Sequence, residues 1–514
     1  MDKASRTYKS LRNTVVALVY YAINLVVVFF SRQVFITHLG PEVLGLNTTA
    51  TSLLQFINLA ELGIGIAIGV TLYKPLAEND QGTVNEIVSL QGWFYRKVAW
   101  VVIAASCVLM CFFPAIFAKA DLPLWYAYAS FSVMLFSSMI SYFVTYKQIV
   151  LSANQQQYLI TISYTTCVII KVIAQMVAVS VFSNGYLWWL ILEFLFAIIG
   201  NFALNLQIKK HCPELRTTLE KGPELREKYP DVISKIKQLF VHKIGGVVLS
   251  QTSPIVISAL ISLTMVTKYS NYALITTYLI ALLSALFNGM GASVGNLVAE
   301  GDNARINKVF RELFSSRFLL IAPVSYCYYK LASPFITLWL GDEFVLNNLV
   351  ILEITLLFFI QATRVTVDSF INAYGIFSDI WAPAAEASIN IIFSVILGML
   401  WGLPGILAGV LLSQIIIIFI WKPILLYSAG FKVSIKPYLS MYLKHLFAFA
   451  ISVFASECLS SQLGLCPSNN AVSFVVSGIV ILLISLVVLG ILLYLVERGM
   501  RDFTKRIIDL LPAR

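Results

Sequence analysis

Several ionisable side chains of this chain lie inside long apolar stretches, where a charge is costly and usually faces a cavity or a partner. The cations among them are Arg32, Lys171, Lys330 and Arg364. The carboxylates are Glu61, Glu193, Asp368 and Glu386. Arg and Lys bind phosphate through their charge and through several donors at once. Because the cations come from both halves of the chain, they predict a polar path for an anionic substrate with a pyrophosphate group or acidic sugars.

Each cation also has a purely structural interpretation. Arg32 and Lys330 lie toward the outer ends of their stretches and could extend to the membrane interface. Arg364 and Asp368 are four residues apart, so they could neutralise each other on one helix face. The path and the structural roles both stay open at this point.

The carboxylates suggest either ion pairing or energy coupling. Glu61 lies near the middle of its stretch, within the Gly-rich run LAELGIGIAIG. A carboxyl group in such a place takes or releases a proton according to its solvation and the nearest cation. Glu61 could therefore link transport to a proton gradient, or it could form a permanent ion pair with Lys171. Asp368 and Glu386, in the inner half of the predicted membrane, are the other candidates for coupling or ion pairing.

The elements that must position these residues are fourteen apolar stretches, each long enough to cross a bilayer, which takes about 20 residues. They run over 14–38, 45–72, 93–117, 123–147, 158–182, 186–208, 239–262, 272–298, 313–339, 346–372, 380–401, 404–426, 441–461 and 471–496. The fold class is therefore all-α, a polytopic membrane protein with 14 transmembrane helices.

Positive charge is confined to alternate gaps between these stretches. Of the 36 Lys and Arg residues, 30 fall at the termini or in the even-numbered gaps, and only Lys119 and Lys268 fall in the odd-numbered gaps. The positive-inside rule then places both termini in the cytoplasm. The sequence predicts a multi-pass protein of the bacterial inner membrane.

Composition excludes several other classes of protein. With 59% hydrophobic residues and a mean hydropathy of +0.83, the chain has no polar segment long enough for a soluble catalytic domain. The net charge of +10 is spread over cytoplasmic loops that face anionic lipids, and no nucleic-acid motif accompanies it. We expect no catalytic residues, no metal site and no cofactor. Cys458 and Cys466 flank the outer end of the thirteenth stretch, where a disulfide is one possibility.

The chain contains an internal repeat with a shift of 222 residues. After the second stretch it reads LAENDQGTVNEIV, and after the eighth it reads VAEGDNARINKVF. The match lies in polar loops, so shared apolar composition does not explain it. It predicts an N-terminal six-helix lobe over 1–208, a cytoplasmic linker over 209–238, a C-terminal six-helix lobe over 239–426, and two further helices with a basic tail over 427–514. Transporters built from such repeats bind their substrate between the lobes.

Three runs of the first lobe resemble the N-terminal signature of a known family: SRQVFITHLGPEVLGLN, LAELGIGIAI and LYKPLAEND. In the second half, HKIGGVVLSQT, KYSNYALI, ASVGNLVAEGD and PFITLWLG are similar too. The chain thus resembles, over about residues 10–435, the polysaccharide transport family of Wzx-type flippases. That family belongs to the multidrug/oligosaccharidyl-lipid/polysaccharide exporter (MOP) superfamily. Arg32 resembles an arginine that members of the family place in the cavity from their first helix.

The resemblance implies a flippase that moves undecaprenyl-pyrophosphate-linked oligosaccharide to the outer leaflet, by alternating access between two lobes. The product would serve O-antigen (lipopolysaccharide), capsule or exopolysaccharide assembly. A polysaccharide polymerase, a chain-length regulator and membrane lipids would be its partners. Two alternatives remain open: a cation-coupled multidrug exporter of the same superfamily, and a membrane enzyme of polysaccharide assembly. An exporter of cationic drugs would need an acidic cavity, and an enzyme would need a large loop outside the membrane.

Overall fold

The computed structural model describes residues 3–61, 63–287, 290–376, 378–465, 467 and 470–510. Within these ranges every regular element is helical, which confirms the all-α fold class. The chain forms two compact units whose boundary in sequence lies between Thr267 and Lys268. Residues 239–267, assigned from the sequence to the second lobe, belong to the first unit, and the division into two six-helix lobes stays a prediction.

The α-helices that begin before this boundary are α1 Lys3–Leu39, α2 Pro41–Ile57, α3 Ile64–Glu78, α4 Gln81–Met110, α5 Phe113–Ile116, α6 Trp125–Phe143, α7 Ile149–Ala153, α8 Gln157–Ile160, α9 Thr166–Val181, α10 Gly185–His211, α11 Gly222–Lys228, α12 Pro230–Leu260 and α13 Leu263–Phe287. Those of the second unit are α14 Met290–Glu300, α15 Asn303–Leu340, α16 Asn348–Ala373, α17 Trp381–Trp401, α18 Leu403–Gln414, α19 Lys422–Leu425, α20 Lys436–Gln462, α21 Ala471–Val496 and α22 Arg498–Leu510. Short 3₁₀ segments cover Asn58–Glu61, Thr145–Gln148, Leu219–Lys221 and Asp342–Phe344, and π-helical segments cover Thr161–Thr165, Ile415–Trp421 and Leu426–Phe431.

Among the described residues, ten helices are long and apolar enough to cross a membrane, or eleven when α6 and the bent segment after it count as one span. A multi-pass membrane protein is therefore confirmed, whereas the count of fourteen is not. The second predicted span is broken into α2 and α3, of 17 and 15 residues. The ninth lies in α15, where Lys330 and several tyrosines lower the hydropathy. The seventh predicted span lies in α12, of which only Gly245–Leu260 is described as an apolar helix, and this part is too short to count as a span.

The internal repeat has matching local structure in the two units. Asp80 caps the N-terminus of α4 by accepting a hydrogen bond from the backbone N–H of Thr83 at 3.0 Å. Asp302 caps α15 in the same way, with the backbone N–H groups of Ala304 and Arg305 at 3.0 and 3.1 Å. Side-chain caps of this kind satisfy donors that a helix start leaves without intrahelical partners. The repeated Asp therefore begins a long helix in each unit.

The predicted linker packs against the start of α4. The backbone N–H of Arg216 donates to Asn85 Oδ1 at 3.0 Å. Lys228 Nζ lies 2.7 Å from Glu86 Oε2, and this hydrogen bond raises the pKa of the lysine above its ordinary value. A Cβ on Gly222 would lie 2.1 Å from the Trp93 side chain, so only glycine fits there. The linker is thus held to the first unit by specific contacts.

Candidate functional site

The first unit contains a cavity of about 310 Å³ lined by α1, α2, α6, α9 and α10. Arg32 on α1 and Lys171 on α9 both line it, so the structure brings together two of the four cations predicted for the substrate path. Asn47, Gln175 and Glu193 add polar groups to an otherwise apolar wall. Cavities of roughly 300–1,000 Å³ with a few placed polar groups are typical of ligand sites.

Lys171 is held in an ion pair inside this cavity. Its Nζ lies 2.7 Å from Oε1 of Glu193 on α10, and the two side chains are only 17% and 14% exposed. Gln175, one turn along α9 from Lys171, donates to the other carboxylate oxygen at 3.0 Å. The same amide donates to the carbonyl of Trp189 at 3.2 Å. Glu193 is therefore the counter-ion of Lys171, and the expected alternative of a Glu61–Lys171 pair is wrong.

Arg32 brings a second cation to the cavity from a different helix. Its side chain is half-buried, on the α1 face that also presents Ser31 and Phe35 to the cavity. Opposite on α2, Asn47 Oδ1 accepts a hydrogen bond from Ser130 at 2.5 Å. Its amide nitrogen is buried without a hydrogen-bond partner among the described residues. The cavity therefore combines a guanidinium group, an ammonium group and amide donors, which suits an oxygen-rich anion.

Glu61 lies at the break in the second predicted span. It ends the 3₁₀ segment that follows α2, and α3 begins after Gly63, whose φ of +95° favours glycine. The Tyr95 hydroxyl on α4 donates to Glu61 Oε1 at 3.0 Å. A Cβ on Gly63 would lie 2.9 Å from the Leu239 Cβ. Glu61 is thus hydrogen-bonded to α4 at a tightly packed helix break, and it does not line the cavity.

In the second unit, Arg364 and Asp368 form the i,i+4 ion pair that their spacing allows, with Nε 2.7 Å from Oδ2. Arg364 borders a space of only about 10 Å³, which is also lined by aromatic side chains of α15 and α20. Glu386 on α17 is 6% exposed, and its Oε1 has no hydrogen-bond partner among the described residues. Glu386 is therefore buried, whereas Arg364 and Asp368 are 30% and 29% exposed, and Arg364 borders only this small space.

Lys330 contacts the C-terminal part of the chain. Its Nζ lies 2.9 Å from the carboxylate of Glu457 on α20, and the side chains are 35% and 42% exposed. The pair joins α15 to a helix that the internal repeat does not include. Lys330 therefore has a structural partner, and its place in a substrate path stays a prediction.

Sequence reasoning missed three buried polar residues of the second unit. Arg317 was counted with a cytoplasmic loop because it lies near the predicted start of a span, but it is 2% exposed and donates to Thr366 Oγ1 at 3.2 Å. Glu353 is 8% exposed, seven residues inside its predicted span. His445 is fully buried, with its ring nitrogens 2.8 Å from the Met441 carbonyl oxygen and 3.0 Å from Ser315 Oγ.

The remaining predictions on chemistry concern metals and thiols. Among the described residues, no group of three His, Cys, Asp or Glu side chains could hold a metal ion. Cys458 is exposed, and Cys466 lies outside the described residues. The Cys458–Cys466 disulfide therefore stays an open possibility.

No family model matches the chain, and no curated protein matches it. Solved structures do. The lipid II flippase MurJ in an inward closed conformation matches with a TM-score of 0.63 and 16% identity, over 94% of this chain and 100% of that one. An inward-facing multidrug resistance MATE family transporter of the MOP superfamily matches with a TM-score of 0.58 and 10% identity, over 82% and 99%. An outward-facing MATE family transporter matches with a TM-score of 0.52 and 12% identity, over 83% and 97%.

These likenesses show that the chain has the fold of MOP-superfamily transporters. By their titles the matched structures are a flippase and multidrug transporters, and none of them is an enzyme. The transporter fold that the resemblance of the motifs implies is therefore confirmed. Identities this low do not show that the chain belongs to the narrower polysaccharide transport family.

Proposed function

We propose that this protein is a flippase that moves a polyprenyl-pyrophosphate-linked oligosaccharide from the cytoplasmic to the outer leaflet of the bacterial inner membrane. The observation that carries the proposal is the cavity in which Arg32 and Lys171, from two helices, converge. A pyrophosphate is doubly anionic and rich in acceptors, and it is the natural ligand of a guanidinium group placed beside an ammonium group. The attached glycan would serve O-antigen, capsule or exopolysaccharide assembly, with a polymerase and a chain-length regulator acting on it afterwards.

Glu193 gives the cavity a reversible affinity for such a substrate. An incoming phosphate must compete with the carboxylate that already lies 2.7 Å from Lys171. When the phosphate leaves, Glu193 takes its place, so the buried ammonium group is never left uncompensated. A flippase must release its substrate as readily as it binds it, and an internal counter-ion on the neighbouring helix serves that need.

The two C-terminal helices also favour a lipid-linked substrate. The lipid II flippase structure covers 94% of the chain, against 82% for the inward-facing MATE transporter. The difference is comparable in length to α20 and α21, which follow the internal repeat. The matches to MATE transporters cover a smaller share of this chain. This is expected if α20 and α21 serve a substrate with a long lipid tail.

A multidrug exporter is the second candidate. The matched MATE structures favour it, and so does the presence of one carboxylate, Glu193, in the cavity. The pairing of Glu193 with Lys171 argues against it, because the carboxylate is neutralised where an exporter of cationic drugs would need net negative charge. Two cations against one carboxylate leave this cavity net positive.

Transport assays on the purified protein in liposomes distinguish the two candidates. We expect the protein to expose a fluorescent undecaprenyl-pyrophosphate oligosaccharide to a membrane-impermeant quencher, several times faster than protein-free liposomes do. A matched lipid with an uncharged ether in place of the pyrophosphate should move at the background rate. A cationic dye should not accumulate under an imposed proton or sodium gradient. Gradient-driven dye transport without lipid movement would replace the flippase by the exporter.

A further inference from the structure

Asn13, near the start of α1, joins that helix to the turn between α7 and α8. Its Nδ2 donates to the carbonyl oxygen of Gln155 at 3.0 Å, and its Oδ1 accepts from the backbone N–H of Tyr158 at 2.8 Å. The residue that precedes α8, Gln156, makes no side-chain cap of its own. Asn13 therefore supplies, from another helix, the cap that the first turn of α8 lacks.

Two further contacts strengthen this junction. The guanidinium carbon of Arg12 lies 4.0 Å from the centroid of the Tyr158 ring, which is a cation–π contact. Lys9 Nζ lies 3.5 Å from the carbonyl oxygen of Asn154. We call these contacts, together with the two hydrogen bonds of Asn13, the latch. The positive charge at the start of the chain predicts that the latch faces the cytoplasm.

Beyond the latch, the fifth predicted span contains a π-helical segment, Thr161–Thr165, between α8 and α9. π-helical turns are rare, they occur often at functional sites, and helices bend at them. Directly after this segment, the hydroxyl groups of Tyr20 on α1 and Thr166 on α9 lie 2.6 Å apart. The segment therefore has a contact with α1 on each side, the latch toward the cytoplasm and the Tyr20–Thr166 hydrogen bond toward the cavity.

The same two helices carry the cations of the cavity. α1 continues without a break from Asn13 to Arg32, a distance of about 28 Å at about 1.5 Å per residue. α9 continues from Thr166 to Lys171 in roughly one and a half turns. The latch and the cavity thus lie toward opposite ends of one pair of helices. A bend at the π-helical segment moves α8 away from α1 and leaves Lys171 in place.

We propose that the latch closes the cytoplasmic side of the first unit and opens by a bend at Thr161–Thr165, which admits the head group of the substrate to the cavity between α1 and α9. The identity of that head group rests on the proposed function, whereas the movement of α8 does not. The hydrogen bonds of Asn13 are partly exposed, so water can replace them at a small cost in free energy. The latch can therefore open while Tyr20 and Thr166 hold the rest of α1 and α9 together.

Crosslinking tests whether the latch must open during transport. In a protein whose seven cysteines are replaced by serine, Lys9→Cys/Asn154→Cys places two thiols across the latch and leaves Arg12 and Asn13 unchanged. A bifunctional methanethiosulfonate of the length of a lysine side chain should join the thiols. It should lower the flipping rate at least about tenfold, because transport then lacks a required conformational step. Cleavage of the crosslink by a reducing agent should restore the rate.

The matched control is Glu86→Cys/Lys228→Cys, which joins α11 to α4 of the same unit across an ion pair of 2.7 Å. It should flip at the same rate before and after crosslinking. Equal flipping by the crosslinked and the reduced latch variant, or an equal loss in the control, would overturn the latch. Absence of flipping from every protein, the unmodified one included, would instead contradict the proposed function, and a distance measurement then decides on the latch.

This measurement follows the latch without any transport assay. Spin labels on Leu11→Cys and Gln157→Cys, at two exposed positions, report the separation of α1 from the start of α8 in lipid nanodiscs. We expect a short distance for the closed latch and a longer one for the open latch, in a ratio that undecaprenyl pyrophosphate changes. Asn13→Ala should increase the longer-distance fraction, because α8 loses its cap. A single short distance under all conditions, or no effect of Asn13→Ala, would show that the latch does not open.

Discussion

The charges inside the apolar helices have different surroundings in the two units of this protein. In the first unit, Arg32, Lys171 and Glu193 surround a cavity of about 310 Å³. In the second unit, Arg364 borders about 10 Å³, and the rings of Phe314, Tyr438 and Tyr442 take up the surrounding space. The first arrangement leaves room for a ligand beside the charges, whereas the space that Arg364 borders is too small for one.

The internal repeat makes this difference informative, because the units share a sequence origin at their polar loops. The capping residues Asp80 and Asp302 occupy matched positions, and each accepts a hydrogen bond from the backbone N–H of the residue three positions later. Continuing the same shift into the membrane pairs Glu61 with Leu283, which is buried in the aromatic core. The two copies of the repeat therefore share their helix starts and differ at this position inside the membrane. We infer that the first unit carries the binding chemistry and that the buried charges of the second hold its packing.

The largest expected effect comes from removing one cation in each unit. Arg32→Ala should lower the flipping rate at least about tenfold at unchanged protein abundance, since a charge-assisted hydrogen bond contributes about 1.5–3 kcal/mol. Arg32→Lys should flip at a rate between those of the unmodified protein and Arg32→Ala, because lysine keeps the charge and lacks the planar set of donors. Arg364→Ala should instead lower abundance and melting temperature, since it leaves Asp368 without its partner. The measurement is the flipping rate per folded protein, together with thermal unfolding.

Two controls separate binding from folding in this experiment. Arg226→Ala, at an exposed linker position, should leave both quantities unchanged. Adding Asp368→Asn to Arg364→Ala should restore abundance, because the uncompensated carboxylate is gone. An Arg364→Ala protein that folds normally and does not flip would contradict the assignment of binding chemistry to the first unit alone.

Local patterns predicted much of this structure. Apolar length and charge asymmetry were sufficient for an all-α membrane protein, and the 222-residue repeat identified two equivalent helix starts. The Arg364–Asp368 pair was predictable because both residues lie on one helix, where spacing determines contact. The span lengths and the ion pair depend on residues close in sequence, and the repeat depends on comparing two segments of the chain, so the sequence alone displays all three.

Contacts between helices were not predictable in this way. Lys171 pairs with Glu193 on another helix, and Glu61 accepts from Tyr95 across a helix break, because helix rotation and packing decide both contacts. The break itself depends on the positive φ of Gly63. Arg317 was assigned to a loop because residue counts do not show how far a helix continues beyond its apolar part. Rotation, breaks and helix ends are properties of the assembled fold.

The second prediction compares one ion pair from each unit. Lys171→Met should destabilise the protein by about 3 kcal/mol, because Glu193 is left buried and uncompensated. Lys171→Met/Glu193→Leu should recover abundance, since an apolar pair of similar volume replaces a buried ion pair at little cost. It should still fail to flip, because the ammonium group is missing from the cavity. Abundance, melting temperature and flipping rate are measured for each protein.

The matched pair is Lys330 and Glu457, whose side chains are 35% and 42% exposed, against 17% and 14% for Lys171 and Glu193. Lys330→Met/Glu457→Leu should lose about 1 kcal/mol or less, as partly exposed pairs do, and should flip at nearly the unmodified rate. Normal flipping by the Lys171/Glu193 double variant would remove the cavity from the substrate path. Loss of flipping by the Lys330/Glu457 double variant would extend that path to the second unit.

The smallest expected effect concerns Glu61, where the units differ by a carboxylate in one and a leucine in the other. Glu61→Gln keeps an oxygen that can accept from Tyr95, so we expect normal abundance and a flipping rate within about twofold of the unmodified protein. Glu61→Leu copies the second unit and leaves the Tyr95 hydroxyl without its acceptor, which costs about 1–3 kcal/mol for a buried group. It should therefore lower abundance where Gln does not. A Gln variant that folds normally and does not flip at any external pH would contradict this structural role, because the substitution removes only the negative charge and the acid proton. Glu61 would then couple flipping to protons, and the first unit would supply the driving force as well as the site.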